Sequence, residues 1–122
     1  IEYGMMQAIA EGAAVLKASE FEYDMAEVFE LYNHNSVIVS RLVGWTQEAL
    51  AEDPNLDKIS SKIDHTGEGE WTVDAAIELG IEVPIIKESL EVRKRSTKES
   101  ESFRDKTVSA MRGKFGGHPV TK

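Results

Sequence analysis

The residues best suited to chemistry lie in one stretch near the middle of the chain, Thr66-Gly67-Glu68-Gly69-Glu70-Trp71-Thr72. Two glycines alternate with two carboxylates, and glycine lets a second backbone or a ligand approach closely. A helix capped by Thr72 would direct its free N–H groups and its positive dipole end toward this loop, which suits a phosphate or a carboxylate. The alternative is a tight connector whose Trp71 anchors it to the core, and these seven residues alone favour the connector.

Basic residues that could bind such an anion are concentrated in the last third of the chain. Arg93 and Arg112 can each bind a phosphate or a carboxylate through two parallel hydrogen bonds. His118 follows two glycines, so a mobile tail could bring it close to the same anion. The full cluster comprises Arg93, Lys94, Arg95, Lys98, Arg104, Lys106, Arg112 and Lys114. A solvated basic helix face explains this cluster about as well as an anion site does.

Other kinds of site find little support in the sequence. The histidines at positions 34, 65 and 118 lie in no zinc-binding pattern, and the chain contains no cysteine. The run Gly67-Glu68-Gly69 lacks the Lys-Ser/Thr pair of a phosphate-binding P-loop, and no strand precedes it. We therefore predict neither a metal site nor a nucleotide bound by this loop.

Length and composition indicate one globular domain. The chain has 122 residues, of which 41% are hydrophobic and 30% are charged, enough for a single core. Acidic residues outnumber basic residues by 22 to 14, which argues against nucleic acid as a partner. No apolar run approaches the roughly 18 residues of a membrane span, so we predict no membrane partner. The lack of cysteine fits a cytoplasmic location, which we also predict.

Hydrophobic periodicity predicts an all-α fold of six or seven helices that must position these residues. No segment alternates convincingly with a period of two, and no Asn-Gly or Asp-Gly hairpin signal is present. The predicted helices cover about residues 1–17, 24–32, 36–52, a short stretch after Pro54, 72–79, 84–95 and 103–113. The expected N-caps are Asp24, Ser36, Asp53 and Thr72. Residues 118–122 form a tail without periodicity.

Separated motifs resemble those of one enzyme family, in the same order along the chain. They are Ile1-Glu2-Tyr3-Gly4-Met5-Met6-Gln7, Gly67-Glu68-Gly69-Glu70-Trp71-Thr72 and Phe115-Gly116-Gly117-His118. The segments Ala75-Ala76-Ile77-Glu78-Leu79-Gly80 and Ser102-Phe103-Arg104-Asp105-Lys106 fit the same pattern. Over essentially its whole length the chain resembles the 6-phosphogluconate dehydrogenases, most closely their short, bacterial-type branch.

The resemblance implies roles for six residues. Glu2 matches the general acid that protonates the enediol left after decarboxylation. Five residues fall at substrate-binding positions: Tyr3, Thr66, Arg93, Arg112 and His118. Of these, Thr66 stands where the long branch has a phosphate-contacting lysine, and Arg112 and His118 match a tail pair that reaches the neighbouring subunit's active site. The carboxylates of Glu68 and Glu70 depart from the family pattern and are not predicted to be ligands.

The resemblance also implies the fold, the reaction and the partners. Residues 1–122 would form a compact multi-helix C-terminal domain with an extended C-terminal tail, and copies would assemble as a homodimer or a higher homo-oligomer by tail exchange. The reaction would be the NADP- or NAD-dependent oxidative decarboxylation of 6-phosphogluconate, a small phosphorylated sugar acid, to ribulose 5-phosphate in the pentose phosphate pathway. An N-terminal Rossmann domain, absent from this sequence, would bind most of the cofactor.

The upstream part of the family's active site is also absent from this sequence, because the catalytic Lys and the His-Asn pair precede the position of Ile1. We therefore expect the 122-residue chain alone to be inactive and to bind no cofactor. Two other hypotheses stay open. The parent protein could be a related β-hydroxyacid dehydrogenase that acts on a different acid, or an inactive protein that uses this chain as a helical dimerisation module.

Overall fold

The computed structural model describes residues 1–115 and 118–120, and within them the chain is all-α, as the periodicity predicts. Six helices are present in the described residues, and no strand is found there. They are α1 (Glu2–Ala18), α2 (Met25–Tyr32), α3 (Arg41–Glu52), α4 (Glu68–Glu78), α5 (Pro84–Ser96) and α6 (Phe103–Lys114). None of the described helices is both long enough and apolar enough to cross a bilayer.

Helix α1 lies at the centre of the packing, against α2, α5 and α6. Its residues Met6, Ala10 and Ala13 are fully buried and follow the spacing of one helix face. Two apolar clusters form the core. One joins Ala13, Met25, Phe29, Val43, Ala49, Leu50, Leu56 and Ala110, and the other joins Met6, Ala10, Leu42, Ile63, Val108 and Met111. The second cluster supports the first turns of α1 and the C-terminal half of α6, where candidate site residues lie.

The start of α2 is as predicted from the sequence, whereas the start of α3 is not. The Asp24 side chain accepts hydrogen bonds from Ala26 N at 3.0 Å and Glu27 N at 3.1 Å, as the capping pattern predicts. The prediction of Ser36 as the α3 cap was wrong, because its hydroxyl already accepts from Ile38 N and donates to the end of α2. Ser40 is the cap instead, and its hydroxyl accepts from Val43 N at 3.2 Å.

The short helix predicted after Pro54 is not formed. Asp53 does use its side chain, but it accepts a hydrogen bond from Lys58 N at 2.9 Å and so closes a turn. Leu56 has a φ of 53°, in the left-handed region, and its side chain is buried. A left-handed residue interrupts a right-handed helix, so burial of Leu56 in the core overrides the helical signal.

Helix α4 begins four residues earlier than predicted. Gly67 is its N-cap, with a φ of 105° that favours glycine, and Glu68 is its first residue. Thr72 is therefore inside the helix, and its hydroxyl donates to Glu68 O at 2.8 Å. The expectation that Trp71 anchors the loop to the core was also wrong, because 65% of Trp71 is exposed. Its ring packs instead over Gly67.

The C-terminal segment returns along the domain after α6. The helix continues through Gly113 to Lys114, one residue past its predicted end, and Phe115 adopts an extended conformation. The Phe115 ring stacks on Trp45 with 5.0 Å between ring centroids. Further on, Ser60 N donates to Val120 O at 2.8 Å. The expected helix stop at Gly116-Gly117 lies outside the described residues.

Candidate active site

Arg93 is the centre of the candidate site, and it is almost completely buried. It lies on the inner face of α5 with Ser89, Val92 and Ser96, which are buried and share the i, i+3, i+4, i+7 spacing of one helix face. Only 2% of Arg93 is exposed. Its guanidinium carbon lies 3.5 Å from the centroid of the Tyr3 ring, and one of its nitrogens lies 3.5 Å from the Met6 sulfur. The charge is thus held between an aromatic face and a thioether, which are weak partners for a cation.

The pKa of Arg93 reflects this buried environment. Burial lowers the pKa of Arg93 to about 10, Tyr3 and Glu2 act in the opposite direction, and Arg112 adds a further lowering. Even so, Arg93 stays charged at neutral pH. Because these side chains influence its pKa, the structure brings Glu2, Tyr3, Arg93 and Arg112 into one electrostatically coupled group.

Tyr3 is fixed in place from its other side by the first turn of α4. A Cβ atom placed on Gly69 would lie 2.5 Å from Cε2 of the Tyr3 ring, closer than carbon atoms can approach. The ring therefore fills the space left by the missing side chain of Gly69 and is held between α4 and Arg93. Sequence analysis missed this role, since a glycine in a first helical turn carries no signal of what packs on it.

Arg112 is the second buried cation, on the last turn of α6, and only 5% of it is exposed. Within residues 1–115 and 118–120, neither Arg93 nor Arg112 has a carboxylate within ion-pair distance. Buried charges in proteins are normally paired or bound to a ligand. Two neighbouring guanidinium groups without a carboxylate therefore form a site that an anion would complete.

The tail and the Gly-rich loop meet at the edge of this site. The Thr66 hydroxyl donates a short hydrogen bond to the Glu68 carboxylate. This bond lowers the pKa of Glu68, and the Glu68 backbone N–H, His118 and Arg112 lower it further. His118 is half-buried, with its ring edge-on to Phe115 at 6.2 Å between ring centroids. Thr66 is thus hydrogen-bonded to Glu68, and the charges of His118 and Arg112 act on the same carboxylate.

Glu2 lies in the first turn of α1 and is exposed. The described residues therefore do not bury the Glu2 carboxylate. The Glu70 carboxylate pairs with Lys94 at 3.0 Å.

Two further features were not predicted from the sequence. His65 lies beside Arg93 and Lys94 along a recess of about 430 Å³, and its Nδ1 is buried without a hydrogen-bond partner among the described residues. A larger groove, of about 660 Å³, lies elsewhere, between α1, α2 and the segment 37–39. Among the described residues, no three His, Asp or Glu side chains cluster in a way that could hold a metal ion.

Sequence comparison assigns this helical arrangement to a family. Residues 1–120 match the sequence profile of the family described as "6-phosphogluconate dehydrogenase, C-terminal domain". The chain belongs to this family. The resemblance seen in the separated motifs is thereby confirmed, together with the fold that it implies.

Individual members of the 6-phosphogluconate dehydrogenase family are similar in sequence to this chain over its whole length. The chain is 46% identical to the Bacillus subtilis protein named "Putative 6-phosphogluconate dehydrogenase YqeC", covering 100% of this chain and 41% of that protein. It is 31% identical to the NAD(+)-dependent, decarboxylating 6-phosphogluconate dehydrogenase of Haloferax volcanii, with the same coverage of 100% and 41%. The chain therefore spans about two fifths of the length of these curated relatives.

Proposed function

We propose that this chain is the substrate-binding C-terminal part of an enzyme that oxidatively decarboxylates 6-phosphogluconate to ribulose 5-phosphate and CO2, with NAD or NADP as the oxidant. The observation that carries the proposal is the pair Arg93 and Arg112, two buried guanidinium groups without a carboxylate partner in the described chain. A phosphate would supply the missing negative charge and accept bidentate hydrogen bonds from either group.

The phosphate end of the substrate would lie between these cations and the tail. Arg93 and Arg112 would neutralise it, and His118 and the hydroxyl groups of Thr66 and Tyr3 would add hydrogen bonds at its rim. Their positions support this assignment, because Tyr3 stacks on Arg93 and His118 acts on the same carboxylate as Arg112. Binding of a remote phosphate holds the reacting carbon atoms in a fixed orientation, which lowers the entropic part of the barrier.

Glu2 would supply the proton that completes the reaction. When bound, the nicotinamide accepts a hydride from the substrate hydroxyl carbon, and the resulting keto acid loses its carboxylate as CO2. The enediol that remains needs a proton on carbon, and Glu2 would deliver it. Since Glu2 is exposed here, the remaining part of the protein would have to cover it to raise its pKa.

The properties of the whole protein belong to the same proposal. We place the cofactor mainly in an upstream domain, the protein in the cytoplasm, and the functional unit in a homodimer or higher homo-oligomer whose tails cross between subunits. The 122-residue chain by itself would then be inactive. Its incomplete coverage of the relatives supports this, since most of their length lies outside the matched region.

The test compares Arg93→Ala in the full-length protein with the unchanged enzyme, using 6-phosphogluconate and each nicotinamide cofactor. Loss of a charge-assisted contact predicts a rise in KM of roughly 30-fold or more for the phosphorylated substrate. Arg95→Ala is the matched control, since Arg95 lies on the exposed face of the same helix and pairs with Glu88 at 2.6 Å. Its KM should stay within about twofold of the wild-type value.

Three outcomes would contradict parts of the proposal. An unchanged KM in Arg93→Ala would remove Arg93 from the phosphate site. Turnover by the 122-residue chain alone would refute the division of roles between the two parts of the protein. Higher activity on an unphosphorylated hydroxy acid than on 6-phosphogluconate would favour the related β-hydroxyacid dehydrogenase instead.

A further inference from the structure

The C-terminal tail folds back onto the last turn of α6 through a close fit between Gly113 and Val120. A Cβ atom placed on Gly113 would lie 2.6 Å from Cγ2 of Val120, closer than two carbon atoms can approach. The Val120 side chain therefore occupies the space that a side chain at position 113 would need. The Val120 carbonyl also accepts a hydrogen bond from Ser60 N at 2.8 Å. The tail is thus held at this residue through both its backbone and its side chain.

His118 lies between this contact and a second one. Before it in the chain, the Phe115 ring stacks on Trp45 with 5.0 Å between ring centroids. Both of these rings pack against the second apolar cluster, so they are fixed to the body of the domain. The His118 ring lies edge-on to Phe115 at 6.2 Å between ring centroids. Val120 follows two residues later, so the position of His118 depends on a contact on each side.

We propose that Val120 is a positioning residue that, by fitting against Gly113, holds the His118 imidazole where it binds the phosphate of the substrate. The role of His118 rests on the proposed function, whereas the fit between Val120 and Gly113 does not. Val120 has no side-chain group that could bind an anion, so it contributes to binding only through His118. The contact joins two residues that are close in the sequence of one chain, so it can form whichever subunit's site His118 serves.

The fit also gives a reason for the glycine in α6. Glycine in a helix is less favourable than alanine by about 0.5–1 kcal/mol, so Gly113 destabilises the last turn. Its lack of a side chain is what lets Val120 pack there. An unanchored tail would lose conformational freedom each time His118 bound a phosphate, and this loss would weaken binding. Anchoring through Val120 moves that entropic cost from binding to folding.

The test exchanges the sizes of the two residues in the full-length protein. Gly113→Ala adds a methyl group that overlaps Cγ2 of Val120, and Val120→Ala removes both methyl groups that fill the space. In the double variant, the new methyl group would lie 3.7 Å from the Cβ atom at position 120, which is ordinary van der Waals contact. Each single variant should therefore disturb the fit, and the double variant should restore most of it.

Two measurements follow the tail and the binding of phosphate. NMR signals of the His118 ring, recorded without ligand, should move toward those of an exposed histidine in each single variant and return in the double variant. The probe for binding is inorganic phosphate, titrated by calorimetry. Its dissociation constant should rise roughly three- to tenfold in each single variant and less than twofold in the double variant.

Urea unfolding distinguishes positioning from a general loss of stability. Gly113→Ala should unfold at the same urea concentration as the wild type or a higher one, because alanine favours the helix, although its phosphate affinity falls. Two control substitutions change the same groups elsewhere. Gly12→Ala adds a methyl group where nothing lies within 4 Å, and Val37→Ala removes two from a fully exposed side chain. Neither should change the His118 signals or the phosphate affinity.

Three results would overturn the proposal. Unchanged His118 signals in both single variants would mean that the fit does not position the tail. Altered signals with unchanged phosphate affinity would mean that the anchored position is not the one that binds. A double variant as impaired as the two single variants combined would mean that the sizes of the two residues do not act together.

Turnover separates this inference from the proposed function. With 6-phosphogluconate, each single variant should raise KM by a factor similar to that for phosphate and leave kcat unchanged. A wild-type protein that does not turn over 6-phosphogluconate would refute the proposed function. The anchoring of His118 by Val120 would still stand if the ring signals and the phosphate affinity changed in the single variants and recovered in the double variant.

Discussion

At the scale of single residues, the buried guanidinium of Arg93 shows how a binding site can be prepared before its ligand arrives. The group is almost completely buried, stacked on Tyr3 and repelled by Arg112. Folding is destabilised by such a charge, and only part of that destabilisation is offset by the aromatic contact. Natural proteins keep unfavourable charges of this kind mainly at functional sites, where a ligand supplies the partner.

This reasoning makes a prediction about stability. Arg93→Met keeps a long apolar side chain but removes the buried charge, so the free energy of unfolding should stay unchanged or rise by about 1 kcal/mol. Affinity for phosphate should be lost in the same variant. Urea unfolding and phosphate titration of wild type and variant measure the two effects. A variant destabilised by more than about 2 kcal/mol would mean that the charge contributes to the fold.

The difference in unfolding free energy between the wild type and Arg93→Met should change with pH in a direction that the pKa of Arg93 determines. The folded chain releases the Arg93 proton near pH 10, whereas the unfolded chain keeps it to higher pH. The unfolded state therefore binds more protons above pH 10, and the stability of the wild type rises relative to the variant as pH increases there. Any increase in the free energy of unfolding that Arg93→Met gives over the wild type should be largest between pH 7 and about pH 9. It should become smaller above about pH 10.

At the scale of elements, the junction between α4 and α1 determines the geometry of the site. The first turn of α4 lies against the ring of Tyr3, with no room for a side chain at Gly69. Because the same ring supports Arg93, a shift of α4 relative to α1 would move the guanidinium as well. Gly69 is needed here because it has no side chain, which lets the Tyr3 ring pack against the α4 backbone, and not because of its backbone flexibility.

Gly69→Ala tests this contact between the two helices. The added methyl group would overlap the Tyr3 ring, so unfolding free energy should fall by about 1–3 kcal/mol and phosphate affinity should fall with it. Gly12→Ala is the control within α1, since nothing lies within 4 Å of a Cβ at that position. It should stabilise the protein by about 0.5–1 kcal/mol. Equal effects of the two substitutions in urea unfolding would refute the contact.

The same elements show what the sequence could and could not predict. Asp24 and Pro84 mark helix starts correctly, because each acts on backbone groups only a few residues away. The predictions for Ser36, for the stretch after Pro54 and for Trp71 were wrong, because a residue type does not reveal which of several possible contacts its side chain makes. Ser36 is occupied by the end of α2, Leu56 is drawn into the core, and Trp71 stays at the surface.

The candidate site was predicted in residue type but not in arrangement. Family motifs named all six residues; the structure shows direct contact between Tyr3 and Arg93, and the roles of all six stay predictions. The stacking of Arg93 on Tyr3 and the contact of the Tyr3 ring with Gly69 arise only when α1, α4 and α5 meet. Sequence periodicity carries no information about such contacts between helices.

At the scale of the whole molecule, the tail raises the question of which subunit's site it serves. Phe115 stacks on Trp45 and Val120 bonds to Ser60 within one chain, which places His118 near its own Glu68. The resemblance predicts instead that Arg112 and His118 serve the active site of a neighbouring subunit. Exchange of the tail between subunits therefore stays a prediction, and a mixing experiment can decide it.

The experiment combines two inactive full-length variants, Glu2→Gln and His118→Ala, unfolded and refolded together in equal amounts. If tails cross between subunits of a dimer, half of the dimers are mixed and each contains one intact site. Activity should then recover to about a quarter of the wild-type value. If each tail serves its own chain, every site carries one defect and activity should not recover. Each variant refolded alone gives the baseline.

The packing of α1 against α6 also affects how the chain can fold as it is synthesised. The first helix buries Met6 and Ala10 against Val108 and Met111, partners almost a full chain length away. Contacts so distant in sequence form late, since a long loop must close before they contribute. The core therefore cannot close until the last helix has left the ribosome, and a nascent or truncated chain exposes the apolar face of α1 to aggregation and chaperones.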